Sequence, residues 1–453
     1  MPFRGVRYDP DRVSGLANVT SPPYDVIGSG TLDELQAAEP HNIVRLILPG
    51  LGLDVIGASP SEPVPGSAES VTGANALAAG RLRDWLAAGV LATDPEPALY
   101  IYEQNGPGWL QRGLIGLVAV GSPDFAGVLP HEGVMQGPVT GRRKLMMATR
   151  ANLEPIFLVY NGGVRPGAAL TASGLVRQVA SQRPPLVATV TADGITHRLW
   201  RLSDPAEHAA VAADLAGRTA LIADGHHRYA AYRELRDLMR GDGRGAGPWD
   251  YGLAFLVDAD AYPPRLGAIH RVIPHLAPDD AARQAAEAFT VEKVSANALA
   301  SPGGTVADAA TVPGGMAEAM CRLAEAGRQG TAFLLAGRSG FRLLTRPDHD
   351  QLRAAMPAEA SARWQALDAS VMQELLMSRL WSIKDNERDV LISHDAGEAV
   401  RMAVDAAGTA VICNPVPFAA VKEVAEHGER VPRKSTSFGP KPRTGLVLRT
   451  WEP

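Results

Sequence analysis

Two cysteines, Cys321 and Cys413, are all that this chain of 453 residues contains, and neither has a CxxC partner. That excludes a disulfide scaffold and a structural zinc site of the cysteine type. No apolar run approaches the roughly 18 to 20 residues of a membrane span. The opening MPFRGVRYDPDRV carries charge and proline where a signal peptide needs an apolar core. These absences predict a cytoplasmic protein without a membrane partner. A basic excess is also lacking: the net charge is −5 and the pI about 6.1, which weighs against a nucleic-acid partner. The GxxxxGK[ST] phosphate loop, the HExxH and HxxxH metal spacings, a recognisable helix-turn-helix and internal repeats are all missing.

The chain has the 46% hydrophobic and 21% charged residues of a soluble globular protein. Its length predicts two or three lobes. Short strands alternate with helices through connections of both kinds, which predicts a mixed α+β fold. Thr31–Glu34 reads as a capping box opening a short helix, and NIVRLIL (42–48) as a strand. Residues 50–72 read as a flexible insertion, followed by a helix carrying Leu77, Leu82, Trp85 and Leu86. Strands are expected at 98–104, 113–120, 156–160 and 195–202, with helices at 142–152 and 206–215. Residues 251–257 and 266–273 read as neighbouring strands. ASPGGTVADAATVPGG (300–315) is the clearest linker. The expected division is therefore 1–299, a linker-like loop at 300–316, and 317–453.

One stretch dominates the functional reading. The apolar run Ala220–Ala223 breaks at Asp224-Gly225, and His226, His227 and Arg228 follow at the start of a helical pattern. A buried strand thus delivers four polar side chains to the N-terminus of a helix, where backbone N–H groups and the helix dipole favour an anion. Adjacent residues at such a turn diverge, so only a subset can share a site. Asp224 is suited to orient a hydroxyl or Mg²⁺, one histidine to face a substrate, and Arg228 to hold a phosphate. In the bland alternative Asp224 caps the helix and the histidines pack locally.

Three further clusters accompany it. His131-Glu132 lies in a loop, where Glu132 suits a general base that His131 orients; a lone loop glutamate is more often simply solvated. In GERVPRKSTSFGPKPRTGL (428–446), Lys434 with Ser435 and Thr436, and Lys441 further on, have the composition to cradle phosphate oxygens. The alternative is a solvated basic tail. His270-Arg271 lies inside a strand and belongs either to a polar, substrate-binding pocket or to an exposed edge face. Pro22-Pro23-Tyr24-Asp25 and His41-Asn42 read as a rigid turn and a cap.

The segments PYDVI (23–27), HNIVRLILP (41–49), LPHE (129–132), ATRANLEPIF (148–157), IADGHHRYAAY (222–232), HRVI (270–273), LDASVMQELL (367–376) and KSTSFGPKPRTGLV (434–447) resemble, in order and nearly end to end, a widespread bacterial and archaeal family. That family is catalogued only as a domain of unknown function. The DGHHR turn also resembles the ParB/sulfiredoxin-like superfamily, in which an equivalent strand–turn–helix binds nucleotide phosphates. Free-serine kinases in that superfamily use such a turn with a catalytic Glu, Mg²⁺ and ADP or ATP.

The resemblance implies a ParB/sulfiredoxin-like core within a two-lobed architecture. It also implies a nucleotide-dependent transferase, a kinase acting on a small polar metabolite with free serine the first candidate. Asp224, Gly225, His226 and Arg228 match the turn, and His227 accompanies them. Two stretches depart from the family pattern: Gly133-Val134 stands where an Arg-Thr pair is usual, and Gly141-Arg142-Arg143-Lys144 where an acidic stretch is expected. A carboxylate lost there would mean a lost metal ligand or a different substrate. The rivals are a non-catalytic nucleotide-binding regulator, for which a homodimer is the assembly to look for, and a metal-dependent hydrolase using His226, His227 and Asp224.

Overall fold

The computed structural model describes residues 1–51, 68–121, 127–163, 171–294, 315–384, 386 and 388–451. The fold is mixed α+β, and the described residues form an eight-stranded and a six-stranded sheet among several smaller pairings. The chain divides into two units, Met1–Pro264 together with Pro440–Pro453, and Arg265–Gly439. The boundaries expected at 299 and 317 move because His270–Ile273 and Thr290–Val294 are strands of the second sheet. Residues 300–314 of the expected linker lie outside the described residues. Its end already belongs to a helix, Met316–Gln329.

In the first unit the strands lie in the order Val128–Leu129, Ala220–Asp224, Ile156–Tyr160, Tyr251–Asp258, Trp109–Ala119, Leu99–Gly106, Thr196–Leu202, Val187–Val190. Every residue of Ala220–Asp224 and of Ile156–Tyr160 is buried. That is why both read as continuous apolar runs rather than alternating ones. These two strands pair antiparallel with a register shift between Ile222 and Asp224, a bulge of the kind that re-aims a side chain. The helix His226–Gly241 packs Tyr229, Ala231, Tyr232 and Leu235 onto Ile156, Leu158 and Ile222. Among the described residues no helix is long and apolar enough to cross a membrane.

The last described residues return to this unit. Ser21 and Thr444 bridge through paired backbone bonds of 3.1 and 2.9 Å, Val6 bridges Leu448, and Arg449-Thr450 pair with Asn152 and Ala151.

In the second unit the six strands run Thr290–Val294, Gly340–Thr345, Ala332–Gly337, Thr409–Cys413, His270–Ile273, Leu391–Ser393. The strand at 270–273 is therefore not the sheet neighbour of Tyr251–Asp258, as its closeness in sequence suggested. The apolar run at 42–48 is also not a strand: Val44–Ile47 form a helical turn, and the Asn42 side chain accepts the Val44 N–H at 2.9 Å. A short apolar run is compatible with either state, and the local Asn bond decides it. Of the insertion expected at 50–72, residues 52–67 lie outside the described residues and Ala68 opens the helix Ala68–Ala87. Val371–Leu380 form a helix with the wider π winding.

Candidate functional site

Strand 220–224 ends at the bulge, and Gly225 carries the chain into the helix at φ 95°. A Cβ at this position would meet Ile156 Cγ2 at 3.0 Å and Arg228 Nε at 3.2 Å, so the turn requires glycine. Gly225, not Asp224, is the N-cap, and no side chain caps the helix. Asp224 instead points into a charged cluster. Its Oδ2 accepts from Arg228 Nη2, and its Oδ1 lies 2.6 Å from the Lys441 ammonium. Lys441 also pairs with Asp25 Oδ2 at 3.0 Å. One ammonium thus sits between two carboxylates that are distant in sequence.

The Ser21–Thr444 bridge explains how they meet, because Asp25 and Lys441 each lie within a few residues of it. Glu154 ties the same two segments together. Its Oε1 accepts from the Tyr24 N–H at 3.1 Å and the Thr444 hydroxyl at 3.4 Å. Arg142 lies 3.9 Å from the other Glu154 oxygen, stacks 4.2 Å from the Tyr24 ring and donates to the Ile47 carbonyl at 2.7 Å. A cavity of about 10 Å³, enough for one water, lies beside Arg142, Glu154 and Arg228.

Burial sets the electrostatics of these groups against their partners. Burial pushes the Asp25 carboxyl up, but Lys441 and Arg228 outweigh it and hold Asp25 below the usual carboxylate range. Burial opposes the Lys441 charge, but Asp224 and Asp25 raise its pKa. For Glu154 burial wins over Arg228 and Arg142, and its carboxyl is held above the usual range.

Several expected roles change in this geometry. Arg228 is 1% exposed, and its guanidinium donates to the Pro155 carbonyl and to Asp224. It is a strut beneath the turn rather than a phosphate clamp facing solvent. His226 Nε2 accepts the His131 N–H at 3.3 Å, and His227 Nε2 accepts the Met135 N–H at 3.1 Å. The His131 and His226 rings meet edge to face with centroids 4.6 Å apart. The two histidines of the turn therefore fasten the loop that carries Glu132. Their Nε2 lone pairs are not available to a metal. Among the described residues no group of three or more His, Cys, Asp or Glu side chains is placed to hold one.

The remaining predicted residues lie in the other unit. His270–Ile273 is buried throughout, between two strands, and is not an exposed edge. His270 Nδ1 accepts the Cys413 N–H at 3.2 Å, and burial pushes its pKa down to about 4, so the ring is neutral. Arg271 donates to the carbonyls of Arg433 and Lys434 at 2.8 and 3.0 Å. Lys434 has φ 55°, and the Ser435 hydroxyl donates to the Pro432 carbonyl at 2.5 Å. The KST segment containing Thr436 is thus a loop built around Arg271, and Lys441 joins the Asp224 turn. Asp25, Glu154, Tyr24 and Arg142 were missed as site residues. Their sequence signals were the rigid PPYD turn, a lone glutamate before Pro155 and a buried strand, and, for Arg142, its place in the basic stretch where an acidic one is expected.

The fold and this cluster define a mixed α+β protein with a charged strand-to-helix turn. The chain belongs to the family described as Protein of unknown function (DUF1015), whose model matches residues 1–370. Lys441 lies beyond the matched span. No curated protein matches. Among solved structures the chain is similar to free serine kinase in complex with AMP, at 14% identity over 73% of this chain and 91% of that one, with a TM-score of 0.34. SbnI with a C-terminal truncation, from Staphylococcus aureus, is 10% identical over 73% and 85%, TM-score 0.36. A conserved hypothetical protein from Pyrococcus furiosus is 12% identical over 72% and 90%, TM-score 0.33. All three are distant likenesses.

Proposed function

We propose that the protein binds ADP or ATP at the Asp224 turn and transfers the terminal phosphoryl group to a hydroxyl of a small polar metabolite. The observation that carries this reading is the placement of Lys441 between Asp25 and Asp224 at the N-terminal end of a sixteen-residue helix. A helix N-terminus with a lysine beside it supplies the positive potential that phosphate oxygens need. The two carboxylates keep the lysine charged and in place. The resemblance of the DGHHR turn to that of free-serine kinases points the same way and makes free serine the first acceptor to try.

In this reading Lys441 neutralises charge developing on the transferred group. Asp25, the solvent-exposed member of the cluster, accepts the proton as the acceptor oxygen bonds to phosphorus and the bond to the leaving nucleotide breaks. Asp25 takes the role of base in preference to Glu132, because it touches Lys441 at the turn. Glu132, on the loop fastened by His226 and His227, is assigned to acceptor binding. Magnesium fits only as the nucleotide's own counter-ion. Both oxygens of Asp224 are occupied by Arg228 and Lys441, so Asp224 is not a metal ligand.

Nucleotide consumption with a panel of hydroxylated metabolites tests the reading, comparing wild type with Lys441→Met and Asp25→Asn. Each substitution is expected to lower turnover by about a hundredfold or more. Nucleotide binding without consumption by any acceptor would favour a regulatory binder. No binding of ADP or ATP by calorimetry would end both readings.

A further inference from the structure

We infer that Glu154 is the charge buffer of this site: when a phosphate binds beside Lys441, one proton from solvent is taken up on the Glu154 carboxylate. The inference rests on the nucleotide-site reading above and says how that site accommodates the added charge.

Three cations, Arg142, Arg228 and Lys441, face three carboxylates, Asp25, Asp224 and Glu154. With all six ionised the cluster is neutral. A phosphate placed on Lys441 brings about two negative charges into a largely desolvated region, where like charges repel strongly. Protonating one carboxylate relieves that repulsion, and the three differ in how tightly cations hold them. Asp224 has Lys441 at 2.6 Å and Arg228 in direct contact. Asp25 has Lys441 at 3.0 Å and faces solvent. Glu154 is 5% exposed, its nearest cation is Arg142 at 3.9 Å, and its two hydrogen bonds come from neutral donors.

Every element packed against Glu154 contributes to this balance. The 24–26 turn brings Tyr24 and Asp25, and helix 136–149 brings Arg142. The Asp224 turn and its helix bring Asp224, Arg228 and Tyr232, whose hydroxyl donates to the Glu154 carbonyl. The C-terminal segment brings Lys441 and Thr444. Arg228, Arg142 and the Tyr24 N–H favour Glu154 as an anion at close range, and burial already outweighs them in the unliganded protein. The Thr444 hydroxyl can rotate to accept from a protonated Glu154, so proton uptake costs no hydrogen bond.

Calorimetric titration of the full chain with ADP near neutral pH, in two buffers of different ionisation enthalpy, counts the protons taken up. Any proton change on ADP itself is common to wild type and Glu154→Gln and cancels between them. Wild type is expected to take up close to one proton more than the variant, and its affinity to fall relative to the variant by up to about tenfold per pH unit. An equal proton count in both proteins overturns the inference while leaving the nucleotide site standing. ADP binding by neither overturns the site and the inference together. If Glu154→Gln does not fold, the infrared difference spectrum of wild type with and without ADP decides. A new band of a protonated carboxylic acid is expected, and its absence overturns the inference.

Discussion

Arg228 and Arg271 make an instructive pair. Each is 1% exposed, each belongs to a histidine–arginine motif at a buried strand, and each was a candidate to meet a ligand, Arg228 the stronger of the two. Arg271 donates to two backbone carbonyls and so shapes the 433–436 loop. Arg228 also reaches a carbonyl, but its second partner is Asp224, and through Asp224 it joins a cluster that reaches solvent at Asp25. A buried arginine is therefore not itself a sign of binding. What separates the two regions is a chain of charge running from the buried strut to an exposed carboxylate.

The largest effect expected from this difference is on stability. Arg228→Met leaves Asp224 and the Pro155 carbonyl without the strut and should cost about 3 to 5 kcal/mol. Arg271→Met removes the donors to two neutral carbonyls and should cost about 1 to 3 kcal/mol. Denaturant unfolding of both variants checks the ranking, and a larger loss for Arg271→Met would break the comparison.

A second contrast concerns acid. Burial raises the Asp368 carboxyl of the second unit to about 6, against the pull of the Thr331 hydroxyl and the Ala332 N–H. A carboxyl whose folded pKa exceeds its unfolded value supports the fold fully below the unfolded value, and that support is lost as pH rises through about 6. Asp368 alone therefore weakens the second unit by at most roughly 3 kcal/mol between pH 4 and 7, the buried neutral His270 works in the opposite direction over the same range, and the difference between wild type and Asp368→Asn isolates the carboxyl. Asp25 and Asp94 of the first unit are shifted the other way, because Lys441 and Arg7 overcome the effect of burial. Their contribution is present above the ordinary carboxylate range and is lost on acidification. The pH dependence of stability removed by Asp368→Asn and that removed by Asp94→Asn should have opposite signs in denaturant unfolding, and a common sign would remove the contrast.

The smallest expected effect is local. His227→Ala removes one acceptor for the Met135 N–H and should cost about 0.5 to 1 kcal/mol. Faster amide exchange over 131–135 with little change in the midpoint of global unfolding is the expected signature.

The sequence made the Asp224 turn legible because an apolar run ending in Asp-Gly before a 3.6-residue pattern is local information. The strands at 156–160, 195–202 and 220–224 were readable for the same reason. What decided the site was not local. Asp25 meets Lys441 across 416 residues, and Glu154 meets Thr444 across 290. No period or spacing encodes such pairings. The unit boundary was misplaced for a related reason: His270–Ile273 follows Tyr251–Asp258 closely in sequence, yet pairs with Leu391–Ser393 and Thr409–Cys413. Pro22-Pro23-Tyr24-Asp25 was correctly seen as a turn, and only the fold shows what that turn faces.

The Ser21–Thr444 bridge has a consequence for synthesis on the ribosome. Asp25, Glu154, Asp224 and Arg228 have all left the exit tunnel long before the residue that completes their set. Until Lys441 follows, the nascent first unit holds an excess of acid at the turn and lacks the strand partner of Ser21. A chain released before residue 440 retains both large sheets in its sequence but not the ammonium. Translation itself thus acts as the last assembly step of the site, and incomplete chains are born without it.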